Sequence, residues 1–385
     1  MSIKLHGVYS IPIPLHLDIG DCLNKCRYCF VGSKDKKTSI KQIENAINKK
    51  YDGSLLSYYL ENRYPICISN TSDFFNCNDK ETYKSEIQML RDAGFPIYYQ
   101  TKGYHSEEDL EWFLKIVTKK DVVYITITSF DDSAKLLEKK APSIENRLNL
   151  IKKLKKKGIM INVGFNPVIS KYISNQEIIK FMSKNPEIGY IIQPLHGIKN
   201  IYANSKEINS LTRSQNIKLR PIMEFAIKNK ISVRSKNIFS IKTPSYGDIL
   251  KKHFGKPILI GSDLDIFSKE YYDLTWQEEA EGVSFDMFYE RFKDQFLDIT
   301  IRKQDVRCLD NFTQKRLPDT FAYKDYVKFC WENPEEIASF TGFSNTIYFL
   351  GRDRTQETLY YYPFQDIIIE QVKRIKRLKN DFDMD

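Results

Sequence analysis

Three cysteines, Cys22, Cys26 and Cys29, fall within one short stretch, spaced Cys-x3-Cys-x2-Cys. A loop that tight can turn three thiolates toward one metal centre. The number of ligands is informative. A structural zinc site takes four ligands and a closed shell, whereas a catalytic centre keeps a position open. Iron–sulfur clusters are held by cysteine thiolates, usually four, so a cluster held by three leaves one iron free to bind something else. Zinc remains a second reading, with His16 or Cys77 as the fourth ligand. A disulfide knot is a third, and it needs an oxidising compartment that nothing else in the chain suggests.

The elements that must position this loop alternate regularly. Val8 to Leu17 reads as a strand running into it. Ser39 to Lys50 reads as an amphipathic helix capped by Ser39. Strands follow at Pro65–Ser69, Pro96–Thr101, Asp121–Thr128, Ile159–Phe165 and Ile188–Leu195. Helices lie between them at Lys80–Ala93, Ser106–Thr118, Ser143–Lys157 and Asn175–Ser183. Such alternation predicts right-handed βαβ units and a parallel sheet, hence an α/β fold. The strands read as continuous apolar runs, which suits a sheet buried on both faces.

The strand ends carry polar groups. The second strand ends in Asn70-Thr71-Ser72-Asp73, the third in Thr101-Lys102, and the fourth in Thr126-Ile127-Thr128. Beyond lie Leu137-Glu138, Ala141-Pro142 and Arg147. Hydroxyls and a lysine at successive strand ends would converge on one mouth. There they suit a zwitterion, with hydroxyls for its ammonium and a lysine for its carboxylate.

Cys22, Cys26 and Cys29, with aromatic Tyr28 before the last, resemble the signature of the radical S-adenosylmethionine (radical SAM) superfamily. The resemblance implies a partial (β/α)6 TIM-like barrel, with the chemistry at the C-terminal ends of its strands. It implies that the three cysteines are the metal ligands of a 4Fe–4S cluster. It also implies that this cluster cleaves S-adenosyl-L-methionine, bound on its open iron, to a hydrogen-abstracting 5′-deoxyadenosyl radical. An electron donor such as flavodoxin or ferredoxin is then expected. The order Thr71-Ser72-Asp73, Thr101-Lys102, Thr126 and Leu137-Glu138…Ala141-Pro142…Arg147 is similar to one branch, the spore photoproduct lyase-like or DNA repair photolyase-like proteins. By that likeness Tyr28, Asn70, Ser72, Asp73, Lys102, Thr126 and Thr128 are the cofactor-binding candidates, while Glu138 and Arg147 brace the barrel. One position departs from the branch: Asn70 stands where a lyase has a hydrogen-donating cysteine. Cys77, Tyr98 and His196 are therefore the catalytic candidates on the substrate side.

Composition limits what remains. The chain has 385 residues, with 59 basic against 50 acidic side chains and a net charge of +9. That excess is mild, and the lysine-rich 152–157 segment reads as a solvated helix face. No window approaches the roughly 18–20 apolar residues of a membrane span. Met1 to His6 has no signal-peptide layout, and the other cysteines are scattered singly, so a cytoplasmic location is expected. The barrel is expected over residues 1–205, with a C-terminal α+β extension over 206–385 that shapes substrate access. In that extension 211–230, 276–296 and 364–380 read as helices, and 346–350 and 359–362 as strands. Its aromatic and basic residues would suit DNA, RNA or a nucleotide. A peptide or small metabolite is the alternative substrate, and a non-catalytic metal-binding adaptor the reading from another class.

Overall fold

The computed structural model describes residues 40–69, 72–194 and 220–235 as continuous runs. It also describes shorter stretches at 3–5, 13, 15–17, 22–29, 250, 252–255, 286, 289–290, 293, 298–302, 318–325, 328, 352–353 and 358–359. The chain forms two compact units. One comprises Met1–Ile3, His16–Ile47 and Pro65–Tyr246; the other comprises Lys4–Leu15, Asn48–Tyr64 and Gly247–Asp385. The boundary expected near residue 205 lies outside the described residues.

The first unit is built on strands that pair in chain order. β1 (Lys4–Leu5) belongs to the second unit and β2 (Leu15–Leu17) lies at the boundary; the first unit continues with β3 (Ile66–Ile68), β4 (Ile97–Thr101), β5 (Val122–Ile127), β6 (Met160–Val168), β7 (Gly189–Pro194) and β8 (Val233–Ser235). From β3 to β8 every neighbouring pair is parallel. This open, six-stranded parallel run with intervening helices is the α/β sheet expected from the alternation, and it agrees with the partial barrel that the resemblance implies. The crossovers carry α1 (Ile40–Ile47), then, after α2 (Leu55–Glu61) of the second unit, α3 (Lys80–Asp92), α4 (Glu107–Ile116), α5 (Ile144–Lys157), α6 (Asn175–Lys184) and α7 (Arg220–Asn229). Local signals explain the helix starts. The Ser106, Ser143 and Ser174 side chains accept from the backbone N–H three residues on, and Ser174 completes a capping box with Glu177. Pro221 lies in the first turn of α7, where a missing N–H costs little.

The two faces of the sheet differ, and this corrects the expectation of strands apolar on both sides. Parallel register places Cys67 beside Tyr98, Gln100 beside Tyr124 and Asn162, and Thr126 beside Gly164. Side chains alternate along each strand, so these residues share one face. The opposite face carries Tyr99, Val123, Ile125 and Phe165, and it is the face the helices cover. Tyr99 meets Phe113 of α4 at 5.0 Å between ring centroids, and Phe165 meets Phe181 of α6 at 6.1 Å. The polar face closes tightly near its middle. A Cβ at Gly164 would come within 1.7 Å of the Tyr124 hydroxyl, so only glycine fits beneath that ring.

β8 was not foreseen; Val-Arg-Ser is too short to show a period. In the second unit β9 (Thr300–Arg302) and β10 (Thr320–Ala322) pair antiparallel, as do β11 (Arg352–Asp353) and β12 (Thr358–Leu359). Together with α2 they make an α+β unit. Tyr51 donates to the carbonyl of Thr300 at 3.2 Å, and Arg302 pairs with Asp52 at 3.0 Å, which ties 48–64 to β9. The strand expected at 359–362 is represented by Leu359 at the end of β12. The strand expected at 346–350, the helix at 364–380 and most of the helix at 276–296 lie outside the described residues.

Candidate active site

The cysteine loop is described from Cys22 to Cys29, directly beyond β2 in the chain. It is held from two sides. Leu23 N donates to Asn76 O at 2.9 Å, and Arg27 N donates to Leu137 O at 2.9 Å. These bonds clamp the loop between the segment after β3 and the segment after β5. Within it Cys29 N donates to Cys26 O at 3.0 Å, closing a tight turn between two of the thiols. None of the three is in a disulfide. Burial, with the Asp73 carboxylate next in weight, pushes the Cys22 thiol up to about 12, and burial pushes Cys26 higher still. Such thiols are mostly protonated near neutral pH, and a strong cation or cluster would shift them to thiolates.

Asp73 is the hub beneath the loop. It is buried, and its carboxylate accepts from four donors: Asn24 Nδ2 at 3.0 Å, Thr101 Oγ1 at 2.8 Å, Lys102 N at 2.9 Å and Phe75 N at 3.1 Å. One side chain thereby joins the cysteine loop, its own turn and the end of β4. Asn76 Nδ2 extends the link, donating to Asn24 Oδ1 at 2.6 Å and to Lys140 O at 3.1 Å. Burial raises the Asp73 carboxyl above its ordinary value, against the pull of these donors.

A second buried network sits on the other side of the loop. Lys102 Nζ donates to the Tyr28 hydroxyl at 2.7 Å and to Glu138 Oε1 at 2.8 Å. Tyr28 Oη also donates to Glu138 Oε1. Glu138 Oε2 accepts from Arg147 at 2.6 Å, with both side chains almost wholly enclosed. Arg147 spends its other donors on Pro142 O, at 3.0 and 3.2 Å, and on Thr126 O at 3.0 Å. Burial opposes the charge on Glu138, yet the ammonium of Lys102 and the guanidinium of Arg147 outweigh it and hold the carboxyl well below the usual range. Gly103, at φ +111°, lets the chain pass against Arg147, whose Cγ would lie 3.3 Å from an added Cβ.

The sequence candidates thus fall into groups. Cys22, Cys26, Cys29, Tyr28, Asp73 and Lys102 belong to one connected assembly. Ser72 precedes Asp73, and its buried Oγ has no hydrogen-bond partner among the described residues. Ser69, in left-handed backbone at φ 70°, likewise carries a buried hydroxyl with no such partner. Thr126 is half-buried on the polar sheet face, and Thr128 is buried just past β5. Tyr98 is wholly buried on that face and stacks on Tyr124 at 6.5 Å. Cys77 is buried and stands opposite Cys22 in an isolated antiparallel bridge. Asn70 and His196 lie outside the described residues. Asn24 and Asn76 were not singled out from the sequence. The one available signal was an amide inside a three-cysteine loop, where side chains that satisfy turn backbones are favoured.

Among the described residues no group of three or more His, Cys, Asp or Glu side chains is set to hold a single metal ion. Thiols serving separate irons of a cluster stand further apart than ligands of one ion, so a cluster remains compatible with this loop. Three thiols outside any disulfide on one clamped turn, and the Ser72 hydroxyl with no partner among the described residues, fit a cluster with a polar ligand beside it.

Residues 18–184 match the family model of the Radical SAM superfamily. The match covers 167 of the 385 residues and makes that segment similar to radical SAM enzymes, which work with a 4Fe–4S cluster and S-adenosylmethionine. The chain is similar to a crystal structure of methylornithine synthase (PylB), at 13% identity and TM-score 0.39, covering 64% of this chain and 70% of that one. It is also similar to a structure described as anSMEcpe with bound AdoMet, at 14% identity and TM-score 0.37, covering 57% of this chain and 63% of that one. Likenesses this loose carry no inference about activity. No curated protein matches the chain.

Proposed function

We propose that this chain is a radical SAM enzyme acting on a nucleic-acid base or nucleotide, in the spore photoproduct lyase-like branch, with Cys22, Cys26 and Cys29 as the cluster ligands. The observation that carries the cluster assignment is the double clamping of the cysteine loop, through Asp73 on one side and through Tyr28, Glu138 and Leu137 on the other. When bound, the cluster supplies one electron, from a donor such as flavodoxin or ferredoxin, that cleaves S-adenosylmethionine to methionine and a 5′-deoxyadenosyl radical for hydrogen abstraction.

The residues of this chain have simpler tasks. Asp73 and Asn24 hold the loop in one conformation, so the thiols are presented without an ordering cost at binding. Glu138 fixes the Tyr28 ring and neutralises Lys102 and Arg147 in a buried place. The Ser72 hydroxyl, with Thr126 and Thr128, offers uncharged polar contacts for the cofactor's amino-acid end.

Two features support the substrate class. The strand-end order from Thr71 to Arg147 resembles the photolyase-like branch. The polar sheet face offers Gln100 and Thr126, neutral hydrogen-bonding groups suited to a neutral heterocycle. The experiment is anaerobic reconstitution followed by measurement of 5′-deoxyadenosine with dithionite and cofactor. DNA, RNA or nucleotides should raise its rate at least tenfold. Equal rates with and without them would remove the nucleic-acid reading and leave a peptide or small metabolite.

A further inference from the structure

Cys77 has no part in the clamping network, yet it stands directly opposite Cys22. The two form an isolated antiparallel bridge. The adjoining bond, Leu23 N to Asn76 O at 2.9 Å, identifies their type. In an antiparallel ladder a bond between the next residue of one strand and the preceding residue of the other flanks a non-hydrogen-bonded pair. Such pairs bring their Cα atoms to about 4.5 Å with the side chains close together. Disulfides span Cα separations of about 4.4–6.8 Å, so this pair lies at the near end of that window without backbone movement. Both are free thiols here.

We infer that Cys22 and Cys77 are a redox modification site: in the cluster-free chain they join in a reversible disulfide that withdraws Cys22 from the cluster loop. The oxidant is a small-molecule disulfide such as oxidised glutathione. Cys22, half-buried where Cys77 is 4% exposed, attacks it as thiolate and forms a mixed disulfide, releasing one glutathione thiol. The Cys77 thiolate then attacks the Cys22 sulfur and releases the second. Two protein thiols are oxidised, one glutathione disulfide is reduced to two thiols, and the two protons pass to the leaving thiolates. While the bond persists the loop has two ligands instead of three, and cluster assembly waits for a dithiol. The consequence for assembly rests on Cys22 being a cluster ligand; the linkage itself does not.

The test uses the full-length chain stripped of iron anaerobically and treated with oxidised glutathione. Non-reducing peptide mapping should show Cys22 linked to Cys77. Iron and sulfide uptake should fall at least tenfold and return after dithiothreitol. Cys77→Ala should retain its uptake after the same treatment. Linkage of Cys26 to Cys29 instead, or a Cys22 that still alkylates fully, would overturn the inference. So would a folded Cys77→Ala that is blocked as completely as the parent. The wild-type map decides the linkage even if the variant fails to fold. A Cys22–Cys77 linkage with undiminished iron uptake would retain the disulfide but remove Cys22 from the cluster ligands.

Discussion

Asn24 Nδ2 donates to Asp73 Oδ2 across 3.0 Å, and this bond joins the cysteine loop to the turn that leads from β3 toward α3. Asp73 also serves Thr101, Lys102 and Phe75, so Asp73→Ala leaves four donors without their acceptor. Each buried unsatisfied group costs about 1–3 kcal/mol. Asp73→Ala should lose about 4 kcal/mol or more in urea unfolding, and Asn24→Ala about 1–2 kcal/mol. Both should bind less iron after reconstitution. Full iron binding by Asp73→Ala would show that the loop needs no support from this carboxylate.

Cys29 is half-buried, and its thiol is outside the packed core. Cys29→Ala should therefore fold with an unchanged far-ultraviolet circular dichroism spectrum. It should still lose the visible absorbance of the cluster and make 5′-deoxyadenosine at least about 1000-fold more slowly, as expected for removal of a group the chemistry requires.

Glu138 is shared by two buried cations and a phenol. Glu138→Gln leaves the Arg147 guanidinium uncompensated and should cost about 3–5 kcal/mol. The pH dependence has a definite sign. The Glu138 pKa is depressed in the fold, so its contribution is present above the unfolded carboxyl value and is lost as pH falls below it toward the folded value. Acid unfolding of the parent should steepen below about pH 4.5, and Glu138→Gln should remove part of that slope. An identical acid profile in the variant would contradict the depressed value.

Glu86 behaves in the opposite way. It lies on α3 with no exposed surface, and neither carboxylate oxygen has a hydrogen-bond partner among the described residues. Burial raises its pKa from 4.5 to about 7. A raised carboxyl contributes stability below its unfolded pKa and loses it as pH rises through the folded value. Between about pH 4.5 and 7 the fold should lose about 3 kcal/mol through this group, at about 1.4 kcal/mol per unit. Glu86→Gln should be the more stable protein at pH 8 by thermal unfolding, and the difference should vanish near pH 4. A variant less stable than the parent at pH 8 would show that the carboxylate has a partner.

Gly164 has no room for a methyl group, because the Tyr124 hydroxyl would lie 1.7 Å from it. Gly164→Ala should cost about 3 kcal/mol through overpacking of the polar sheet face. Differential scanning calorimetry measures it directly; a change below about 0.5 kcal/mol, the range of a surface substitution, would place the tyrosine ring elsewhere.

Much of the frame was legible in the chain because local signals govern it. Helices α3 to α6 and strands β3 to β7 appear where apolar periodicity, serine caps and β-branched runs place them, within a few residues. The exceptions were short. β8 has three residues and shows no period. α2 starts at Leu55 after an Asp52–Ser54–Ser57 cap cluster, in a stretch where the sequence analysis places no element. The strands' two faces were also hidden: Tyr and Asn within otherwise apolar runs look like core until the register aligns them.

Sequence by itself determined the chemistry that three closely spaced thiols can perform, since ligand type and spacing are local properties of a short loop. It also placed Ser72, Asp73, Lys102 and Thr126 at the ends of successive strands, because strand order and parallel direction follow from the alternation. Only the tertiary structure decided what those side chains do to one another. Asp73 became the hub of the loop, Glu138 the counter-charge of Lys102 and Arg147, and Cys77 the neighbour of Cys22. Apart from Glu138 with Arg147, nine positions on, these are contacts between residues 28 to 110 positions apart, such as Tyr28 with Glu138 and Thr101 with Asp73, and no local pattern encodes them. They arise because parallel crossovers bring distant strand ends to one edge, where burial makes each hydrogen bond and each charge depend on its partner.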